Sequence, residues 1–247
     1  MVVNSEKIFT AIAFLKDIAE VDPNYFSREL FTHSECKEEC LNLIEEIDSI
    51  NEKLLVEADK SKKGNLTLEK GKILEKIAQK MLKVNNVFNI FTNIKCDSNE
   101  IDLLLKLTSF GQGISMFLPK ELTDDIIVEC KNYSKGIDVT WTGKLYSLMR
   151  YKNVKCAILF SYLPLKGKNA WDSSKGLIKK LYLKDDSLII NITIEDIKNI
   201  LFNDLEKKEF KYTNIITLIQ SKIDNIRYHT QIDNLIEKHP AELIENT

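Results

Sequence analysis

The sequence predicts an α/β fold: a mixed central sheet flanked by helices, with a helical segment added before it and further helices after it. Three observations carry that expectation. Apolar residues recur at steps of three and four in long stretches toward both ends of the 247 residues. Between those stretches, runs of strand length are alternating or continuously apolar. In the middle, a strand, a helix and a strand follow one another, the order of a crossover that pairs two strands in parallel.

The elements follow in chain order. Residues 4–20 place Ile8, Ile12, Phe14, Leu15 and Ile18 at helical spacing. Residues 34–60 do so more strongly, through Cys40, Leu43, Ile44, Ile47, Ile50 and Leu54, with Ser34 as a candidate cap. Residues 1–62 therefore read as an N-terminal helical segment that packs on the body or pairs with a second copy. "SKKGN" at 61–65 reads as a turn or linker, and Thr67 opens the next helix, "TLEKGKILEKIAQKMLKVN". Gly71, Glu75, Ala78 and Leu82 share one line of that helix. A glycine inside a helix costs about 1 kcal/mol against alanine, so Gly71 is expected to have a packing or functional reason; it would let the helix approach a sheet closely.

"VFNIFTNIK" reads as a strand, followed by "NEIDLLLKL", in which Ile101, Leu103, Leu105 and Leu107 alternate with Asp102, Leu104 and Lys106. Residues 108–125 form a loop with two glycines that has room for one strand. "IIVECKN" sets Ile126, Val128 and Cys130 on one face and Ile127, Glu129 and Lys131 on the other. "VTWTGKLYSLMRYKN" is a helix with Trp141, Leu145, Leu148 and Met149 inward. "VKCAILFSYL" is a buried strand, parallel to 126–131. A strand at 187–192 leads into a helix from about Thr193. Residues 63–203 thus form the core, and 204–247 a helical C-terminal extension.

Composition bounds the function classes. No apolar run approaches the roughly 18 residues of a membrane span, and the N-terminus lacks the pattern of a signal peptide. Cytoplasmic localisation is the expectation, with no membrane partner. The five cysteines include no CxxC pair, which fits reduced thiols. His33, Cys36 and Cys40 are one ligand short of a tetrahedral zinc site. The net charge is only −2, but it is unevenly spread. Lys131 to Lys184 holds twelve Lys/Arg against two acids, a local net of +10; Met1 to Lys62 holds seven against fourteen, a local net of −7. One half is suited to face a polyanion.

The polar residues on the inferred common face carry the chemistry. Asp102 lies on one strand, Glu129 and Lys131 on the next, and Glu75 on the helix before them. Two carboxylates on adjacent strands can share a hard divalent cation such as Mg²⁺ or Mn²⁺, with the backbone carbonyl of Cys130 completing the set. Such a cation lowers the pKa of water and offsets charge on a scissile phosphate. The spacing E-x-K puts carboxylate and ammonium on one side of a strand, about 7 Å apart. Glu100, two residues before Asp102 on the same face, is the alternative carboxylate. Lys144, Lys166, Lys168 and Lys175 are candidate phosphate contacts. Trp171 either stacks on a base or packs in the core.

These residues in this order resemble the PD-(D/E)XK nuclease superfamily, which has the restriction-endonuclease-like fold, and within it the Mrr-type restriction endonucleases. The resemblance spans roughly residues 66–200. It rests on Gly71 and Glu75 in "KGKILEKIA", Asp102 in "NEIDLLLKL", Glu129 and Lys131 in "VECKN", and the order helix, strand, strand, helix, strand. Ile101 stands where the family often has proline, and Lys144 is the nearest polar residue to the place of the Mrr-type glutamine. The resemblance implies that Asp102 and Glu129 hold the metal, that Lys131 acts on the attacking water, and that Glu75 reaches the metal through water. It implies a DNA endonuclease of restriction or anti-phage defence, with a homodimer and an activating protein or small effector left open. A catalytically silent nucleic-acid-binding or partner-recruiting module on the same fold, and an RNA-directed nuclease, are the alternatives.

Overall fold

The structure is a computed structural model. It describes residues 30–95, 100–133, 136–168, 171–202 and 214–233, with isolated positions between 6 and 20. The expected helix at 4–20 lies largely outside the described residues, as do Cys96 and most of the C-terminal extension.

A five-stranded mixed sheet runs in the order β1 (Phe88–Lys95), β2 (Glu100–Leu107), β3 (Ile126–Lys131), β4 (Cys156–Ser161), β5 (Leu188–Thr193). The first three strands pair antiparallel, and β3, β4 and β5 pair in parallel. Every residue of β4 is buried, because helices cover both faces of the sheet there. The expected β3/β4 parallel pairing is present, from Ile126↔Cys156 to Lys131↔Ser161. β1 is the edge and alternates poorly: Phe91 is exposed.

Helices α1 (Lys37–Val56) and α2 (Lys60–Lys83) cover one face, packing Ile44, Ile47, Leu74 and Ile77 against Leu103, Val128 and Ile158. The crossover helices α4 (Val139–Lys152) and α5 (Ser173–Asp185) cover the other, with Leu145, Met149 and Ile178 against Ile127, Leu159 and Ile189. The short α3 (Ser109–Gly113) follows β2. Helices α6 (Ile194–Leu201) and α7 (Ile215–Asp233) complete the first face. Thr193 starts α6 as expected, through a capping box with Asp196.

Three expectations are corrected. Residues 61–65 are not a turn: α2 runs through them and through Thr67, because Asp59 accepts N–H bonds from Ser61 (2.7 Å) and Lys62 (3.0 Å). The chain reverses at 57–59 instead. The N-cap of α1 is Cys36 rather than Ser34, after one 3₁₀ turn (Ser34–Cys36). The segment after β2 contains no strand; α3 and the 3₁₀ turns Ser115–Phe117 and Lys120–Leu122 fill it. Asp48 of α1 ties the layers together, accepting from Tyr162 Oη (3.1 Å) beyond β4 and from Lys198 Nζ (2.9 Å) of α6.

Candidate active site

The site forms where β2 and β3 separate. Their pairing runs only from Leu105↔Ile126 to Leu103↔Val128. One residue beyond, the Asp102 carboxylate replaces the strand as acceptor: Cys130 N–H donates to its Oδ2 at 2.7 Å. A buried backbone donor must find a partner, and here the partner is a side chain held in place by that need. β3 meanwhile stays paired to β4 as far as Lys131, so Glu129 and Lys131 remain on a rigid strand with their side chains on one face.

Asp102, Glu129 and Lys131 converge. The Lys131 ammonium contacts Glu129 Oε1, lies 3.6 Å from Asp102 Oδ2, and donates to the Cys130 carbonyl at 3.1 Å. The three side chains are only 15–18% exposed. Glu129 Oε2 is buried without a hydrogen-bond partner among the described residues, an uncompensated cost of folding. The Cys130 thiol lies on the opposite face, packed against the core, and burial pushes it well above its ordinary pKa.

Glu75 joins through α2. Asn132 Nδ2 donates to the Thr67 carbonyl at 2.8 Å, tethering α2 to the end of β3. A Cβ at Gly71 would lie 3.3 Å from that same Nδ2, so the glycine permits the close approach expected of it. Burial, and then the charge of Asp102, raise the Glu75 carboxyl above the ordinary range. Burial likewise raises Glu129, against the lowering effect of Lys131. For Lys131, burial acts downward but is outweighed by Glu129 and Asp102, which hold the ammonium above its ordinary value. Asp102 and Glu129 face one ammonium, and the charge of Glu75 reaches them from α2 without contact, so the cluster has excess negative charge, an environment that favours a cation. Glu100 is exposed at the end of β2 and takes no part in the contacts around Lys131.

The donor set fits a small hard cation. It consists of two carboxylates and a backbone carbonyl, all oxygen, one carboxylate oxygen being without a partner. Mg²⁺ is commonly held by one or two carboxylates and keeps its remaining waters. Among the described residues no group of three His, Cys, Asp or Glu is disposed to hold a metal on side chains alone.

Two aromatic residues form a wall that the spacing of the sequence did not reveal. Trp141, expected inward, is half-buried and stands between two cations: Lys131 Nζ is 4.9 Å and Lys144 Nζ 4.3 Å from its ring centroid. Tyr133, exposed, lies 5.5 Å from the same ring. Lys144 is therefore at the site. Lys166 is exposed on the loop after β4, whose backbone pairs with Ile137. Lys168 and Lys175 lie elsewhere, around a cavity beside β5. Trp171 is half-buried with the Lys179 ammonium 5.3 Å from its ring.

Among the described residues no helix is long and apolar enough to cross a membrane. No family model matches the chain, and no curated protein or solved structure matches it significantly.

Proposed function

We propose that the chain is a divalent-metal-dependent nuclease that hydrolyses DNA phosphodiester bonds. Its site would be of the PD-(D/E)XK type on a restriction-endonuclease-like fold, similar to Mrr-type enzymes and serving defence against foreign DNA. One observation carries this reading: Asp102, Glu129, the Cys130 carbonyl and Lys131 meet at the point where β2 and β3 part. A structural ion pair does not need two strands to separate around it, nor does it leave a carboxylate oxygen buried and unpartnered.

Asp102, Glu129 and the Cys130 carbonyl would hold Mg²⁺ or Mn²⁺. The ion supplies acidity to water and offsets negative charge on the phosphate. Asp102 is oriented by the Cys130 N–H, so its free oxygen is fixed before any ligand arrives. Without a metal, Glu129 and Asp102 hold the Lys131 ammonium above its ordinary value. Beside a bound ion, Lys131 would act on the attacking water and stabilise charge developing on the phosphate. Glu75, more basic than an ordinary glutamate, would hold a water at the rim. Trp141 and Tyr133 offer faces for unstacked bases, and Lys144 a phosphate contact.

The test is plasmid cleavage with Mg²⁺ or Mn²⁺ and with EDTA, beside a parallel RNA substrate. Wild type is expected to cut DNA only with metal. Asp102→Ala, Glu129→Ala and Lys131→Ala are each expected to lose at least about 10²-fold in rate. Three variants cutting like wild type would refute the site. Cutting of RNA alone would change the substrate class. Binding of DNA with no metal-dependent cleavage would make the protein a binding module.

A further inference from the structure

The aromatic pair beside the carboxylate cluster bears on which form of DNA the cluster receives. Tyr133 stands two residues beyond Lys131, past the end of β3, and Trp141 lies in the first turn of α4. Their ring centroids are 5.5 Å apart and their planes 37° from parallel, within the range of an attractive aromatic pair. Trp141 is half-buried and packs against the cluster that holds Leu145 and Met149, which fixes its ring. Tyr133 rests on that ring and is itself 38% exposed. An exposed tyrosine alone means little. This one is backed by a second, anchored ring and stands beside two cations.

Those cations connect the pair to the cluster. Lys131 Nζ is 4.9 Å and Lys144 Nζ 4.3 Å from the Trp141 centroid. The aromatic wall therefore begins where the carboxylate cluster ends. Both rings lie within about three nucleotide steps of Lys131, at about 3.4 Å per step of a stacked strand. A nucleotide whose phosphate reaches Lys131 thus has an aromatic face within reach of its own base or a neighbour's.

Access points the same way. Asp102, Glu129 and Lys131 are only 15–18% exposed, and Asn132 ties α2 to the end of β3 through the Thr67 carbonyl. A phosphate must enter a recess between α2 and the start of α4. A duplex keeps its base faces stacked inside, so a base reaches Tyr133 only after it is unpaired and unstacked at a cost. An unpaired strand offers phosphate and base face together, and stacking on a ring is open to every base. Core packing accounts for Trp141 but not for Tyr133, whose ring stays in water.

We infer that the site takes single-stranded DNA, with a base next to the scissile phosphate stacked on Tyr133 and a neighbouring phosphate against Lys144. The inference rests on the nuclease reading for the phosphate that is cut, and it narrows that reading to an unpaired strand.

The test begins with binding in EDTA, by anisotropy of a labelled twelve-nucleotide single strand and of the duplex of the same sequence. It uses the full chain with Glu129→Gln, which lessens repulsion of phosphate without needing a metal. The single strand is expected to bind at least about tenfold tighter than the duplex. Adding Tyr133→Ala is expected to weaken the single strand at least about fivefold and to leave the duplex unchanged. Tyr133→Phe keeps the ring and is expected to keep the affinity. Tyr151→Ala, which removes an exposed tyrosine from the far end of α4, is expected to change neither. With Mn²⁺, the chain with Glu129 restored is expected to cut the single strand at least about tenfold faster than the duplex. Equal affinities for the two forms, no binding of the single strand, or unchanged affinity in Tyr133→Ala would overturn the inference. Duplex cut as fast as single strand would overturn it too, while leaving the nuclease reading intact. Binding in the expected order with no metal-dependent cutting would refute the nuclease reading and uphold the aromatic pair as a single-strand site.

Discussion

Glu129 is the residue on which the chemistry turns, and it is costly to keep. A carboxyl raised in the fold binds its proton more tightly there than in the unfolded chain. It therefore stabilises the fold below its unfolded pKa, and that contribution is lost as pH rises through the raised value. Burial raises Glu129 in this way. In EDTA, Glu129→Gln is thus expected to gain thermal stability relative to wild type as pH rises from about 4 to 7. Unfolding curves for the two proteins that stay parallel over that window would show that the carboxylate is not strained by its burial. At this scale the E-x-K spacing was legible because period two fixes which strand neighbours share a face. Asp102 was legible by the same alternation. The Trp141 and Tyr133 wall was not: it depends on how the start of α4 folds back over the end of β3. Trp141 at helical spacing with Leu145 and Leu148 gives the same signal as a core residue.

Among the elements, α2 shows where local signals compete. "SKKGN" has the composition of a turn, yet the Asp59 cap and the apolar stripe from Leu66 onward carry the helix through it. A Cβ at Gly64 would meet nothing within 4 Å. Gly64→Ala is therefore expected to stabilise the protein by about 0.5–1 kcal/mol in denaturant titration. A loss of stability would place a turn there after all. Gly176 in α5 is the opposite case, since a Cβ there would lie 1.7 Å from the Trp171 carbonyl oxygen. Gly176→Ala is expected to cost at least about 1–3 kcal/mol in the same titration, because backbone must move to admit it. A neutral result would contradict the close seating of α5 on the 171–172 segment. The capping box at Thr193, by contrast, was legible in part from its cap residue, because a cap is a short-range device.

At the scale of the whole molecule, a mixed sheet flanked by helices and the parallel β3/β4 pair followed from the alternation of strands and helices, whereas the full strand order did not. The division at 62–63 falls within α2, and α1, α2, α6 and α7 share one apolar cluster with the sheet. Charge and periodicity distinguish these segments along the chain, but they do not report which faces meet. Ile47 of α1 is fully buried in that cluster. Ile47→Ala is expected to cost about 2–5 kcal/mol and to move a single unfolding transition seen equally by probes in α1 and in β4. Separate transitions would make α1 an independent unit.

The most direct test of the proposed centre is a calorimetric Mn²⁺ titration of wild type, Asp102→Asn and Glu129→Gln, each checked for folding by circular dichroism. Wild type is expected to bind at one site whose affinity falls at least about tenfold in either variant. Mn²⁺ affinity unchanged in both variants would contradict the convergence of these two carboxylates on one cation.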